Sequence, residues 1–193
     1  GWDVSDVWLA VAAAGRYACR MSRLRRLVVS DRYFFVTCNL RRTRRPLGEE
    51  DFALLARVLE ARRAVHGFLL PAWVFLPDHW HAILGPHYPL TISRALEAIK
   101  VASTRWLNSR GKESGELWQG RFFDRALRTV KEYNETVEYI DLNPVRRGLV
   151  ARPEQWKWSS VHKYGSPGRV PPFGWPPLRI DRVRIPVDER TRI

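Results

Sequence analysis

The stretch Leu76-Pro77-Asp78-His79-Trp80-His81-Ala82-Ile83-Leu84 constrains this chain more than any other, because two histidines one residue apart head a short apolar run with β-strand character. Side chains along a strand alternate between faces. Both imidazoles therefore share one face, while Trp80, Ala82 and Leu84 point to the other and can pack into a core. Such a strand offers two nitrogen donors on a buried backing. Two neutral imidazoles do not complete a divalent-ion site, which needs a further ligand and an open position. A plainer reading of the same pattern is a pair of half-buried, hydrogen-bonded histidines, so the choice depends on what the rest of the chain supplies.

Around this strand the sequence alternates between two periodicities. Residues 32–39 are rich in aromatic and β-branched side chains and predict a first strand, followed by a basic loop with Arg41, Arg42, Arg44 and Arg45. Residues 49–66 carry Phe52, Leu55, Val58, Leu59, Ala61 and Val65 at helical spacing, closed by Gly67. Residues 69–76 predict a strand that turns at Pro77-Asp78 and pairs with the histidine strand as a hairpin. A second helix is expected over residues 91–109, with Ile92, Leu96, Ile99, Ala102 and Trp106 on one stripe, and a last strand over 122–127. Thr129 and Glu132 form a capping box that opens a third helix running to about residue 142, with Pro144 as its stop. The order predicts an α+β layer, an antiparallel sheet with helices on one side.

Composition narrows the partners. Lys and Arg number 33 against 20 Asp and Glu, a net charge of +13, and most of the cations are Arg, whose planar fork suits phosphate. Nucleic acid is the leading partner. The two cysteines, Cys19 and Cys38, rule out a disulfide framework or a four-cysteine zinc site, which fits a reducing, cytoplasmic setting. The apolar run at residues 7–14 is too short to span a bilayer and has acidic rather than basic flanks, so no membrane role is expected. Because the only methionine is Met21, residues 1–21 are expected to be non-native or disordered, with the folded domain at 22–164 and a Pro- and Arg-rich extended tail at 165–193. Glycine-rich phosphate loops are absent, which gives nucleotide-triphosphate chemistry no support.

The third helix supplies candidates for the missing half of the site. Tyr133, Val137 and Ile140 fall on one side and can face the sheet; Tyr139 and Asn143 lie four apart on an adjacent stripe, about 40° from each other. A helix packed beside the histidine strand would aim a phenol and an amide at one point. The same two positions also suit a rim aromatic and a C-cap before Pro144.

Four separated segments carry a resemblance: His79-Trp80-His81, then Leu117-Trp118-Gln119-Gly120-Arg121-Phe122, then residues 138–150 from Glu138-Tyr139-Ile140 through Asn143-Pro144 to Gly148-Leu149-Val150, then Trp156-Lys157-Trp158-Ser159-Ser160. Together they resemble the REP-associated tyrosine transposases, single-tyrosine HUH endonucleases related to insertion-sequence transposases. The resemblance implies a ferredoxin-like catalytic domain, with a divalent ion, Mg2+ or Mn2+, on His79, His81 and Asn143 and with Tyr139 as nucleophile. It implies a metal-dependent single-stranded DNA endonuclease and strand transferase that forms a 5′-phosphotyrosine on hairpin DNA of repetitive extragenic palindromes. Trp80 is bulkier than the residue usual between the histidines, and Asn143 stands where insertion-sequence relatives carry Gln.

The runs Arg23, Arg25 and Arg26 and Arg41, Arg42, Arg44 and Arg45, with Arg121, Arg125, Arg146 and Arg147, are candidate DNA contacts, and Trp118, Phe122 and Trp158 candidate stacking platforms. Tyr33, Tyr88, Tyr133 and Tyr164 compete with Tyr139 as nucleophile; His66, His87 and His162 suit surface or capping roles. A catalytically silent hairpin DNA- or RNA-binding protein on the same fold is the alternative function. The chain is expected to act as a monomer or a homodimer.

Overall fold

Among the described residues, four strands and three α-helices follow one another as the periodicities predict. The computed structural model describes residues 32–163 and 178–183, so Arg23, Arg25, Arg26 and the whole 1–21 segment lie outside the described residues. β1 (Tyr33–Asn39) leads to α1 (Glu49–His66), the hairpin β2 (Leu69–Phe75) and β3 (His79–Gly85), α2 (Ile92–Gly111), β4 (Phe123–Leu127) and α3 (Val130–Arg146). The sheet order is β2-β3-β1-β4 with antiparallel neighbours throughout, a ferredoxin-like arrangement to which α3 is added.

Local chemistry sets the helix ends. α1 opens with Glu49, Glu50 and Asp51, where acidic side chains favour the exposed N–H groups, and the Asp51 carboxylate accepts the Gly48 N–H at 2.9 Å. It closes at Gly67, whose φ of 73° is left-handed and whose N–H reaches the Arg63 carbonyl. Thr91 and Thr129 cap α2 and α3 by accepting the N–H groups of Arg94 and Glu132. The Glu132 carboxylate returns to the Arg128 N–H at 2.7 Å, so this acid is engaged in the cap.

The two faces of the sheet bury separate cores. α1 and α2 cover one, where Trp80, Ala82 and Leu84 pack with Phe34, Val36, Leu55, Leu59, Leu96 and Ile99. α3 covers the other, packing Ile140, with Val137 and Tyr133, against Phe35, Val74 and Ile83. The expectation of helices on one side is therefore corrected: β2 and β3 are buried along both faces and need cover on both.

Two further corrections concern helices. α3 does not stop at residue 142; Pro144 sits inside it, buried, and the helix runs to Arg146. Proline removes only its own N–H, and the ladder resumes at once, with the Arg147 N–H on the Asn143 carbonyl and the Leu149 N–H on the Pro144 carbonyl. In α2, Trp106 is 60% exposed, because the buried stripe steps through Ile99, Ser103 and Leu107.

The outer edge of β2 is covered. The Phe75 N–H donates to the Trp158 carbonyl, the Trp156 indole to the Phe75 carbonyl, and the Trp73 N–H to Ser160 Oγ. Further along the strand, Asp181 accepts the Leu70 N–H at 2.7 Å and donates its own N–H to the Leu70 carbonyl, beside a fully buried Leu178. The described part of the expected tail, residues 178–183, is thus packed on the domain.

Candidate metal and tyrosine site

Strand alternation puts His79 and His81 on the α3 face, both almost fully buried. Their Nε2 atoms lie 3.0 Å apart. The other ring nitrogens are held from outside: Asp78 Oδ1 is 2.6 Å from His79 Nδ1, and Thr37 Oγ1, from the β1 residue paired with His81, is 2.8 Å from His81 Nδ1. The hydrogen bond to His79 holds the Asp78 carboxyl down at about 2, with the nearby Arg147 guanidinium acting in the same direction against partial burial. Burial drives the His81 pKa well below its ordinary value, and the closeness of His79 and of the Arg147 guanidinium adds to this, so the ring is neutral at pH 7.

The Asp78 carboxylate can only accept, so His79 donates Nδ1–H to it and turns its Nε2 lone pair toward His81. The Thr37 hydroxyl can accept from or donate to His81 Nδ1; where it accepts, both Nε2 lone pairs face each other. Two lone pairs at that distance repel unless a cation or proton lies between them. Two nitrogens each about 2.1 Å from one ion, at right angles, are about 3.0 Å apart, which matches the observed spacing.

α3 contributes one stripe, Tyr139, Asn143 and Arg147, at four-residue steps. The Tyr139 ring centroid is 5.4 Å from that of His81 and 5.7 Å from that of Phe35, and the Arg146 guanidinium lies 5.3 Å from the same ring. One Arg147 nitrogen is 3.4 Å from Asp78 Oδ2 and another 3.3 Å from His79 Nδ1. His79 Nδ1 cannot donate to Asp78 and accept from Arg147 together; the shorter, charge-assisted Asp78 bond wins, and Arg147 acts on the carboxylate. Asn143 is bracketed by residues that touch the two histidines. It is buried, and its Oδ1 has no hydrogen-bond partner. Leaving a buried acceptor unmet costs about 1–3 kcal/mol, so an amide oxygen kept there fits a cation ligand and not a cap; the helix cap is Arg147. The donor set of two imidazole nitrogens and one amide oxygen suits a divalent ion, although among the described residues no group of three or more His, Cys, Asp and Glu side chains is arranged to hold one by itself.

The competing tyrosines are elsewhere. Tyr133 packs edge-on against Tyr33 at 5.8 Å, and burial raises its phenol to about 12. Tyr88 is exposed in a loop, and Tyr164 lies outside the described residues. His66 sits in the last turn of α1, and a ring nitrogen of His162 is 3.0 Å from the Trp156 carbonyl. A cavity of about 420 Å3 beside α3 is lined by Asp141, Leu142 and Val161, among others, and includes neither histidine nor Tyr139.

The arginines divide by use. Arg146 and Arg147 stand at the site, and Arg42 and Arg121 are exposed. Arg44 is spent inside the domain: its side chain is nearly buried, pairs with Glu113 and donates to the carbonyls of Ser114, Gly115 and Glu116. Arg45 grips Asp51 with two bonds, Arg41 pairs with Glu116, and Arg125 reaches Thr136 Oγ1 at 3.4 Å. The stacking assignments also change. Trp118 and Trp158 are buried, Trp118 donating to Ser103 Oγ, and Phe122 packs partly against the α1–α2 core. Thr37 and Phe35 escaped the sequence reading because only strand register brings them to His81; Asp78 stood beside His79 in the chain and was read as a turn residue.

Fold and site together define a ferredoxin-like α+β domain with a histidine pair on its central sheet and a tyrosine helix laid across it. The chain belongs to the family described as Transposase IS200 like, whose model matches residues 28–143. It is 31% identical over 152 residues to the REP-associated tyrosine transposase of Escherichia coli (strain K12), covering 78% of this chain and 89% of that one. A putative REP-associated tyrosine transposase of Haemophilus influenzae is 30% identical over 99 residues, 46% of this chain and 56% of the relative. Among solved structures, one described as a REP-associated tyrosine transposase bound to a REP hairpin superposes with a TM-score of 0.66 at 29% identity, covering 86% of this chain and all of the other. No helix among the described residues is long and apolar enough to cross a membrane.

Proposed function

We propose that this chain is a metal-dependent single-stranded DNA endonuclease and strand transferase acting on hairpin-forming repeat DNA, with Tyr139 as nucleophile. The observation that carries this reading is the pair of Nε2 atoms 3.0 Å apart with Tyr139 against His81, on a helix whose same stripe carries the buried, unpartnered Asn143 oxygen. Family membership and the hairpin-bound structural relative supply the substrate class.

His79, His81 and Asn143 would hold Mg2+ or Mn2+, which when bound supplies charge neutralisation for a phosphate oxygen. Asp78 keeps the His79 ring in the tautomer that presents Nε2, and Thr37 holds the orientation of the His81 ring. Tyr139 is braced by Phe35 and His81 and attacks in line: its Oη–P bond forms as the P–O3′ bond breaks, the phenol loses its proton, and the departing 3′ oxygen takes one up. The product is a 5′-phosphotyrosine and a free 3′-OH. Because the exchange is one ester for another, a second 3′-OH can reverse it, giving strand transfer. Arg146 and Arg147 offer positive charge to the incoming phosphate.

The test is incubation of hairpin DNA bearing a labelled single-stranded flank, with and without Mn2+, on denaturing gels. Wild type should form a covalent adduct only with metal, and Tyr139→Phe should form none while binding the hairpin within a few-fold. An adduct that persists in Tyr139→Phe refutes the nucleophile; hairpin binding without any cleavage in wild type points to the silent binding protein.

A further inference from the structure

The donors proposed for the ion, the Nε2 atoms of His79 and His81 and the Asn143 Oδ1, are all neutral groups. A site of that kind brings no anion of its own, so its affinity for a dication depends on the charges beside it. Two such charges meet at His79. The Asp78 carboxylate divides its oxygens, with Oδ1 2.6 Å from His79 Nδ1 and Oδ2 3.4 Å from one Arg147 nitrogen. The other Arg147 nitrogen stands 3.3 Å from the same His79 Nδ1. A guanidinium is therefore held one imidazole ring away from the Nε2 pair.

The backbone fixes both partners, while their side chains stay within reach of solvent. The Asp78 carbonyl accepts the Leu40 N–H and the Pro77 carbonyl the Leu47 N–H, both at 2.7 Å, which ties down the turn before β3; the Arg147 N–H caps α3 on the Asn143 carbonyl. The side chains of Asp78 and Arg147 are 59% and 48% exposed and their contact is long, so it is weak and open to competition. A phosphate, which a guanidinium fork grips with two bonds, is the stronger partner. A phosphate that takes Arg147 cancels the positive charge beside His79 and leaves the carboxylate to that ring alone, where it makes Nε2 the better donor.

We infer that Arg147 is a charge gate on the metal site: paired with Asp78 it holds affinity for the ion down, and a DNA phosphate that draws the guanidinium away releases that hold. This rests on the proposed function and adds to it the order in which the site is filled. Ion and DNA then bind with positive cooperativity through a side chain that does not touch the ion, and linkage makes the factor the same in both directions. The chain alone carries little metal, and the site loads when a strand is in place.

Calorimetric titration of Mn2+ into the full chain reads the gate without any cleavage. Arg147→Gln, which keeps a hydrogen-bond donor for Asp78 and loses the charge, should tighten Mn2+ binding roughly 3- to 30-fold. Arg147→Lys keeps the charge and should stay near wild type. Arg105→Gln removes an exposed charge from α2, on the other face of the sheet, and should change nothing. In a Tyr139→Phe background, saturating hairpin DNA should bring the Arg147 and Arg147→Gln proteins to the same Mn2+ affinity, so that DNA improves the variant less by the factor it gained alone. Unchanged or weaker Mn2+ binding in Arg147→Gln overturns the gate and makes the arginine a holder of Asp78, while the metal site stands. A difference that survives saturating DNA overturns the release by phosphate. Wild type that takes up no Mn2+, like its His79→Ala variant, overturns the metal reading itself and the gate with it.

Discussion

Replacing Asn143 by leucine separates a ligand from a structural amide. In the metal-free protein the Asn143 Oδ1 is buried with no partner, which costs about 1–3 kcal/mol. Leucine has similar bulk and no unmet acceptor, so the metal-free variant should gain up to about 1 kcal/mol after the shape mismatch is allowed for. For a domain of this size that is about 2–4 °C in Tm. With Mn2+ at 100 times its Kd, wild type should gain about 2.7 kcal/mol. Changing a group that merely orients a ligand weakens affinity about 10- to 100-fold, so losing a ligand itself should do at least that, which leaves a gain of at most about 0.4–1.4 kcal/mol at the same concentration. Scanning calorimetry with and without Mn2+ gives both numbers, and calorimetric titration checks the affinity directly. A variant that is less stable without metal, yet keeps the full Mn2+ response, would refute the assignment and make the amide structural.

His79→Ala and His81→Ala should each abolish Mn2+-dependent cleavage, with the double variant no worse than either; additive losses would count against a shared ion. Asp141, raised to about 7 chiefly by burial despite a hydrogen bond to Ser159, should make stability fall as pH rises. The unfolded carboxylate ionises near pH 4 and the folded one near 7, so the loss accumulates between those values and amounts to a few kcal/mol at most. Asp141→Asn should remove that slope, raising Tm at pH 8 and changing it little at pH 4; an unchanged slope in chemical denaturation at several pH values would refute it. Hairpin binding should weaken steeply with salt and exceed binding to a blunt duplex of equal length, and equal affinity at every salt concentration in an anisotropy titration would mean that charge alone is read.

What was legible in the sequence was local. The period-two alternation of β3 set which face carries the histidines, and Gly67 closed α1. Tyr139 and Asn143 were legible as a stripe because helical spacing is a one-dimensional rule. What was hidden depends on register between distant strands, as with Thr37 and Phe35, which a chain-order reading cannot place. Pro144 misled because proline usually breaks a helix, while here the buried run Thr136, Ile140 and Asn143 ends on a buried Pro144 itself and outweighs one lost hydrogen bond. Trp118 and Trp158 misled because a tryptophan-rich, basic composition suits both a stacking groove and a core, and burial decides between them.

The covering of β2 explains a motif that the chemistry leaves unused. An outer strand exposes unpaired N–H and C=O groups, and Trp156-Lys157-Trp158-Ser159-Ser160 satisfies those of β2 while Phe52 of α1 packs against both indoles. Lys157 adds a contact to Glu49 at the start of the same helix. The segment is therefore tied to α1 and to β2 and, through Ser159 and Asp141, to α3. Its hold on α3 matters because Tyr139, Asn143 and Arg147 ride on that helix, and a rotation of one residue would turn the stripe by about 100° away from the histidines.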